Sequence, residues 1–190
     1  MANAEPNFEE LLETLKVAAA ALRDADVRFV LGGGLAIWAR GGPETEHDVD
    51  FFVKPDDAER AWKALETAGF RTEDPPEDWL YKGFRGDVMV DVIYAPSGLT
   101  VDDEFLDRAE VLEVHALRMP VMSADDVLVA KLLAMREHEV DYDQVLELAR
   151  TVREQIDWDE VRRRCEGSPY AAAFLVLVEE LGVAPAAARR

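Results

Sequence analysis

Three aspartates stand at positions whose spacing and surroundings suit metal chemistry. Asp48 and Asp50 lie two residues apart in the segment DVDFFV. Because side chains alternate between the two faces of a strand, both carboxylates point to the same face, roughly 7 Å apart at Cα. Asp91 lies inside the apolar run VMVDVI, where an unpaired, desolvated carboxylate costs several kcal/mol. Carboxylate oxygens are hard ligands that suit Mg²⁺, so the three residues predict a divalent-metal site.

A glycine pair precedes these aspartates. Gly33 and Gly34 follow the apolar segment VRFVL and precede LAIWAR, which has the pattern of a short helix. Glycine lets the backbone approach a ligand closely, and the start of a helix offers unpaired N–H groups to a phosphate. The order therefore predicts a phosphate-binding turn beside the acidic cluster.

Each feature alone has an ordinary structural explanation. A glycine pair after a strand is a common turn, an Asp-x-Asp at the start of a strand is often only a cap, and a single strand acid often faces solvent. The spacing favours one shared site. Gly34 and Asp48 are 14 positions apart, which leaves room for one short helix, and Asp50 and Asp91 are 41 positions apart, which leaves room for a helix and a hairpin strand.

The elements that must position these residues divide the chain into an α/β part, residues 1–122, and a helical part, residues 123–190. Hydrophobic periodicity and turn residues predict the strands of the first part: 27–31, 48–53, 79–84, 87–94, 110–115 and 118–122. The same signals predict its helices, which are 8–24, 35–40 and 57–68, and a short helix or turn at 102–108. Capping residues predict the helices of the second part: 124–137, 141–154, 157–165 and 169–181.

Composition limits the classes of partner. The chain of 190 residues carries 40 acidic and 21 basic side chains, a formal charge of −19. Because binding to nucleic acid depends on neutralising phosphates with Lys and Arg, this charge argues against a dedicated DNA- or RNA-binding module and against an anionic membrane surface. A small anion such as a nucleotide stays compatible with it, provided that cations are placed locally. The single cysteine, Cys165, excludes an internal disulfide and a cysteine zinc cluster.

Targeting signals are lacking in the sequence. No apolar stretch approaches the roughly 20 residues of a membrane span, and Met1 to Glu10 has no basic segment of the kind that opens a signal peptide. We therefore expect a soluble, cytoplasmic protein that does not bind membranes. Its length predicts one domain, or one domain with an appended subdomain.

The segments LGGGLAIWARGG, EHDVDFFV and VMVDVIY, in this order, resemble the nucleotidyltransferase superfamily of the DNA polymerase β type. The superfamily pattern is a hydrophobic residue, Gly-Gly or Gly-Ser, a short helix, two aspartates separated by one hydrophobic residue, and a third acid in a later strand. Five residues occupy these places: Gly33, Gly34, Asp48, Asp50 and Asp91. The resemblance covers about residues 25–140 and is strongest to small bacterial stand-alone members, including relatives of AbiEii-type toxin nucleotidyltransferases.

Two departures from the pattern concern the substrate. Many relatives place an Arg and a Thr just before the first aspartate, whereas this chain has the segment PETEH at 43–47. The second glycine position is more often Ser in antibiotic-modifying members. The resemblance therefore does not identify the acceptor.

The resemblance implies an α+β fold in which a short mixed sheet is flanked by helices and followed by a helical subdomain. It also implies an enzyme that transfers a nucleoside monophosphate from ATP or another NTP to a hydroxyl acceptor, with release of pyrophosphate. Asp48, Asp50 and Asp91 would hold two Mg²⁺ ions, and Asp91 would also be placed to take the proton of the acceptor hydroxyl. Gly33 and Gly34 would donate backbone N–H groups to the phosphates.

Two further residues are candidates for nucleotide binding. Lys131 lies in VLVAKLLAM and resembles a lysine that opens the C-terminal helices of relatives and faces the nucleotide. The alternative is a helix lysine that reaches solvent or pairs with Asp126 or Glu137. His47 precedes Asp48 and is a candidate for a phosphate or metal-ligand contact, against the alternative of an ordinary loop histidine.

The sequence does not identify the acceptor that receives the nucleoside monophosphate. The acidic charge favours a small molecule or a protein over RNA, and Trp79, beside Pro75 and Pro76, is a candidate wall of its pocket against the alternative of a core residue. A homodimer is an open expectation for the assembly. The competing function is a catalytically weak or inactive nucleotide-binding module, or one component of a toxin–antitoxin or defence pair on the same fold.

Overall fold

A mixed sheet forms the centre of the molecule. The structure is a computed structural model that describes residues 7–45, 48–136 and 139–186. Its strands are β1 Phe29–Leu31, β2 Asp48–Val53, β3 Arg71–Glu73, β4 Leu80–Arg85, β5 Val88–Ile93, β6 Glu110–Val114 and β7 Leu117–Val121. They lie in the order β3-β4-β5-β2-β1-β7-β6. The pairs β2–β5 and β1–β7 are parallel, and the other pairs are antiparallel.

Helices flank the sheet and follow it. Their bounds are α1 Phe8–Asp24, α2 Gly33–Ala39, α3 Pro55–Thr67, α4 Asp103–Asp107, α5 Ala124–Ala134, α6 Tyr142–Val152, α7 Trp158–Arg164 and α8 Pro169–Glu180, with a 3₁₀ turn at Arg153–Gln155. The mixed sheet with flanking helices confirms the expected fold class. Within the described ranges, no helix is long and apolar enough to cross a membrane.

Side-chain caps explain why the C-terminal helices begin where the sequence predicts. Ser123, Asp141, Asp157 and Ser168 each accept a hydrogen bond from a backbone N–H in the first turn of the helix that follows. Such a cap satisfies a donor that the helix itself leaves unpaired. The helix ends are less well predicted: α5 stops at Ala134 and α6 at Val152.

Two other boundaries differ from the prediction for physical reasons. α3 begins at Pro55 rather than at residue 57, because the fixed φ of proline suits the first helical position. The segment 71–73, which the sequence leaves without an element, forms the short edge strand β3 beside β4. Its three residues, Arg71-Thr72-Glu73, include no apolar side chain, so no hydrophobic alternation marks this strand in the sequence.

The core lies between the sheet and the helices on its faces. α1 and α3 pack against each other and against the central strands, while α2 lies on β2 and contacts α5. α5 in turn contacts α6, α7 and α8, so it joins the C-terminal helices to the rest of the protein. The division into residues 1–122 and 123–190 stays a prediction.

A buried ion cluster fixes the start of α5. The Asp126 carboxylate is 2% exposed and accepts hydrogen bonds from the Arg164 guanidinium at 2.6 Å, the Arg108 guanidinium at 3.3 Å and the Ser123 hydroxyl at 3.0 Å. These partners come from α7, the end of α4 and the α5 cap. The cluster therefore ties three segments together at one carboxylate.

We expect Asp126→Asn to destabilise the protein by about 3 kcal/mol, because removing one partner of a buried pair leaves the other charges uncompensated. Urea unfolding followed by circular dichroism measures the change. The matched control is Asp159→Asn on α7, whose carboxylate is 87% exposed beside Arg162 and should change stability by less than about 0.5 kcal/mol. A loss below about 1 kcal/mol for Asp126→Asn would show that the cluster does not hold α5 in place.

Candidate active site

The parallel pairing of β2 and β5 brings three aspartates together. Asp50 lies directly beside Asp91 in the register of the two strands, and Asp48 lies beside Met89. One carboxylate oxygen from each of Asp48, Asp50 and Asp91 lies within 4.8 Å of the other two. The predicted juxtaposition of the three side chains is therefore present in the fold, although 41 positions separate Asp50 from Asp91.

The surroundings of the cluster disfavour its negative charge. Burial raises the pKa of Asp50 well above its ordinary value, and the neighbouring carboxylates Asp48 and Asp91 raise it further. Burial also raises the pKa of Asp91, which is 6% exposed. Three carboxylates this close require a cation or a proton to compensate them.

The donor set fits a divalent metal ion such as Mg²⁺. All three groups offer carboxylate oxygens, which hard divalent cations prefer. The oxygens already lie near one another without a rearrangement of the strands. Because the negative charge of three neighbouring carboxylates is unfavourable without a counter-charge, the cluster is suited to holding cations.

The glycine turn lies against the cluster. Gly33 adopts a φ of +56°, and a Cβ at this position would overlap the Asp50 carboxylate oxygen Oδ2. A Cβ on Gly34 would lie 2.6 Å from the Thr45 hydroxyl oxygen. The Gly32 N–H donates to the Asp50 carbonyl at 2.8 Å, which ties the turn to β2. The two glycines are therefore required because the Asp50 and Thr45 side chains occupy the space that their side chains would fill.

Two clefts open on either side of the cluster, and three residues line both of them: Asp48, Asp50 and Lys131. The first, the α6-side cleft, has a volume of about 490 Å³. Residues of α2, of the segment before β2 and of α6 also line it, among them Gly34, Ile37, Thr45, Gln144, Glu147 and Leu148. The second, the β5-side cleft, also has a volume of about 490 Å³ and is lined further by Gly33, Phe52, Glu77, Trp79, Asp91, Ile93, Met122 and Glu139, among others.

Lys131 lies on α5 at the border of the two clefts. Its ammonium donates to the Gln144 side-chain oxygen at 2.8 Å. The predicted alternative of a pair with Asp126 is wrong, because that carboxylate is bound by Arg108 and Arg164. Glu137, the other alternative partner, and His47, the second nucleotide-binding candidate, lie outside the described residues.

Lys82 is a site residue that the sequence analysis missed. It faces Asp91 directly across the antiparallel pair β4–β5, and its ammonium nitrogen lies 3.2 Å from Asp91 Oδ1. The predicted strands 79–84 and 87–94 turn at Arg85-Gly86, which would place Leu80 opposite Asp91. The structure turns one residue later, at Gly86-Asp87, with Arg85 paired to Val88. Because the turn fixes the register of a hairpin, this shift brings Lys82 opposite Asp91.

Gln144 and Glu147 are two further lining residues that the sequence did not single out. They lie three positions apart on α6, and residues at this spacing share one helix face. Both line the α6-side cleft. No local signal marks them, because they reach the cleft only through the packing of α6 against α5.

Comparison with known proteins places the chain in a family. The model of a family described as "uncharacterised nucleotidyltransferase" matches residues 3–178. No curated protein sequence matches the chain. The sequence likeness to AbiEii-type toxins stays a prediction.

Solved structures share the fold at low sequence identity. A crystal structure of ANT(2'')-Ia in complex with adenylyl-2''-tobramycin is 15% identical, with a TM-score of 0.62 over 87% of this chain and 97% of that chain. The lincosamide antibiotic adenylyltransferase LnuA, with lincomycin bound, is 13% identical, with a TM-score of 0.53 over 76% of this chain and 96% of that chain. An antigenic nucleotidyltransferase-like protein from Paracoccidioides brasiliensis is 14% identical, with a TM-score of 0.50 over 90% of this chain and 88% of that chain.

Proposed function

Because the chain belongs to the family of uncharacterised nucleotidyltransferases, we propose that it transfers a nucleoside monophosphate from an NTP to the hydroxyl group of a small molecule. The observation that carries the proposal is the convergence of Asp48, Asp50 and Asp91 at the border of two clefts. One cleft would hold the NTP and the other the acceptor, with the carboxylates between them.

Asp48, Asp50 and Asp91 would hold two Mg²⁺ ions. When bound, these ions neutralise the triphosphate and stabilise the charge that develops on the attacking and leaving oxygens. Asp91 is the group placed to take the proton of the acceptor hydroxyl. The new bond joins the acceptor oxygen to the α-phosphorus, the bond from that phosphorus to the bridging oxygen breaks, and pyrophosphate leaves. No covalent bond to the protein is needed, since positioning and electrostatics supply the catalysis.

The α6-side cleft suits the NTP. It contains Gly34 of the glycine turn and the Lys131 ammonium, which would contact phosphates. Ile37 and Leu148 supply apolar surface for a base, and Gln144 supplies a side-chain amide. ATP is the NTP that we would test first.

Lys131→Met should weaken NTP binding. A charge-assisted hydrogen bond contributes about 1.5–3 kcal/mol, so we expect the KM for the NTP to rise about tenfold to a hundredfold with a smaller change in kcat. Steady-state kinetics with varied NTP measures both constants. The control is Lys16→Met on α1, where the lysine forms an exposed ion pair with Glu13 and its loss should leave both constants unchanged. An unchanged KM for Lys131→Met would remove Lys131 from the nucleotide site.

The β5-side cleft suits the acceptor. Asp91 lies in its wall, and Phe52, Ile93, Met122 and the 37% exposed Trp79 give that wall an apolar surface. A cleft of about 490 Å³ matches the size of small-molecule sites. Two proteins of the same fold are described with antibiotic ligands, one with adenylyl-2''-tobramycin and one with lincomycin. These observations favour a small hydroxyl compound with an apolar face over RNA.

Labelled substrates test the proposed reaction. Incubation with [α-³²P]ATP, Mg²⁺ and pooled small hydroxyl compounds should give a labelled acceptor and unlabelled pyrophosphate. In a parallel reaction with [γ-³²P]ATP the label should appear only in pyrophosphate. A γ-labelled acceptor would indicate a kinase instead.

The competing function, a catalytically weak or inactive nucleotide-binding module, is motivated by the segment PETEH at 43–47, where many relatives carry an Arg and a Thr just before the first aspartate, and by the formal charge of −19. Calorimetry separates the two functions. ATP binding that is independent of Mg²⁺, together with no transfer to any pooled acceptor, would favour the module and the toxin–antitoxin or defence role. The cytoplasmic location and a homodimer stay predictions.

A further inference from the structure

Asp91 differs from Asp48 and Asp50 because it already forms an ion pair with a lysine side chain. Lys82 Nζ lies 3.2 Å from Asp91 Oδ1 and also 3.2 Å from the Met89 sulfur. The Lys82 side chain is 24% exposed and that of Asp91 is 9% exposed, so the pair is largely shielded from water. Among the described residues, neither Asp48 nor Asp50 forms an ion pair.

We propose that Lys82 is a positioning residue that competes with a divalent ion for Asp91, so that the two ions expected at this site bind with unequal affinity. The inference rests on the proposed metal site. Within the described ranges no cation forms an ion pair with Asp48 or Asp50, and Lys131, which lines the same clefts, donates to Gln144 instead. The ion that uses Asp91 must share that carboxylate with the Lys82 ammonium or displace it, and like charges at such distances repel strongly.

The backbone keeps Lys82 in this position. Lys82 and Asp91 are direct partners in the β4–β5 register, so a lysine side chain needs no unusual path to reach the carboxylate. The Lys82 carbonyl also accepts a hydrogen bond from the Trp62 indole N–H at 3.3 Å. Directly paired residues of neighbouring strands share one face of the sheet, so the Lys82 side chain lies on the face from which Asp91 lines the β5-side cleft.

A Mn²⁺ titration in the presence of a non-hydrolysable ATP analogue tests the inference. Isothermal calorimetry should resolve a tight and a weak class of ions in the unchanged protein. Lys82→Met removes the charge while keeping the length of the side chain. We expect it to tighten the weak class at least about tenfold and to leave the tight class unchanged. A protein that binds one ion, whose Lys82→Met variant binds two, would support the inference equally.

Three variants serve as controls. Lys82→Arg keeps the positive charge and should retain the weak class. Lys82→Gln offers Asp91 an uncharged partner and should reproduce the tightening if the Met variant unfolds. Lys63→Met removes an exposed lysine that pairs with Glu59 on α3 and should change neither class. Activity gives a second readout, because the Met variant should need less Mn²⁺ for half-maximal rate at an unchanged KM for ATP.

The failures of the two proposals are distinguishable. If Lys82→Met leaves the weak class unchanged or weakens it, or if both proteins bind a single ion, the role of Lys82 is wrong while the metal site stands. If the unchanged protein binds no Mn²⁺ with or without the analogue, the proposed function itself fails.

Discussion

We expect Asp50→Asn to abolish the proposed nucleotidyl transfer and to raise the melting temperature of the metal-free protein. The loss of transfer follows from the removal of a central metal ligand, and a loss of several kcal/mol of charge stabilisation corresponds to at least about a 10³-fold lower rate. The gain in stability follows from the removal of a charge that burial and two neighbouring carboxylates disfavour. A gain of about 1 kcal/mol would raise the melting temperature by about 3 °C in a protein of this size.

The sign of the pH dependence follows from the same pKa. Because the pKa of Asp50 is higher in the folded protein than the ordinary 3.8, the folded state binds the proton more tightly than the unfolded state does. Stability from this group is therefore present at low pH and is lost as the pH rises through the raised pKa. Asn has no charge to gain, so the variant should lose less stability over this range.

Melting curves in EDTA across the acid and neutral range measure the effect, and a second series with Mg²⁺ tests the metal. Mg²⁺ should raise the melting temperature of the unchanged protein, since a ligand that binds only the native state stabilises it, and should raise that of Asp50→Asn much less. The control is Asp143→Asn, which replaces an exposed acid on α6 and should leave the melting temperatures unchanged both in EDTA and with Mg²⁺. Unchanged activity in Asp50→Asn, or a lower melting temperature in EDTA, would contradict the assignment.

Gly33→Ala should reduce transfer at least about a hundredfold and also destabilise the protein. Two effects combine at this position. An L-residue at a φ of +56° costs about 1–2 kcal/mol, and the added Cβ would overlap the Asp50 carboxylate. The carboxylate must therefore move away from Asp48 and Asp91, which disturbs the ligand geometry.

A matched control separates the two effects. Gly182, after α8, has a φ of +68°, and no atom lies within 4 Å of the place that a Cβ would occupy there. Gly182→Ala therefore has the backbone cost alone and should leave transfer unchanged. Adding Gly33→Ala to an Asp50→Ala variant should cost much less stability than adding it to the unchanged protein, because the overlapping carboxylate is gone and only the Cβ of residue 50, at 3.2 Å, remains in contact. Equal effects of the two glycine substitutions on activity would show that Gly33 does not determine the position of Asp50.

The sequence predicts elements well where one local signal suffices. The strand DVDFFV is present at 48–53 as expected, because a two-residue alternation with β-branched and aromatic residues marks it. The helix starts after Ser123, Asp141, Asp157 and Ser168 follow from capping chemistry. The β3 edge of the sheet is less well predicted, since this exposed strand buries too little to leave a pattern, whereas β6 at the other edge is present where expected.

The candidate site depends on contacts that no local signal contains. The adjacency of Asp50 and Asp91 requires a parallel register between β2 and β5, and the resemblance to a known family supplies that pairing where periodicity does not. The contact of Lys131 with Gln144 depends on how α5 packs against α6. Lys82 was missed because the hairpin turns at Gly86-Asp87, one residue later than predicted, and this shift replaces Leu80 by Lys82 as the partner of Asp91.

The charge of −19 has a more specific meaning once the site is known. Under the proposed function, divalent ions held by Asp48, Asp50 and Asp91 would cancel the repulsion of these acids toward a triphosphate. Lys131 and Lys82 are cations that lie at the cluster. The proposed nucleotide would therefore be bound at one point of an otherwise acidic protein.

Anomalous diffraction from crystals grown with Mn²⁺ and a non-hydrolysable ATP analogue tests the central claim most directly. We expect Mn²⁺ peaks bound by oxygens of Asp48 and Asp50, with the triphosphate in the α6-side cleft and its α-phosphorus facing the β5-side cleft. Mn²⁺ peaks away from these aspartates, or a triphosphate bound outside both clefts, would contradict it.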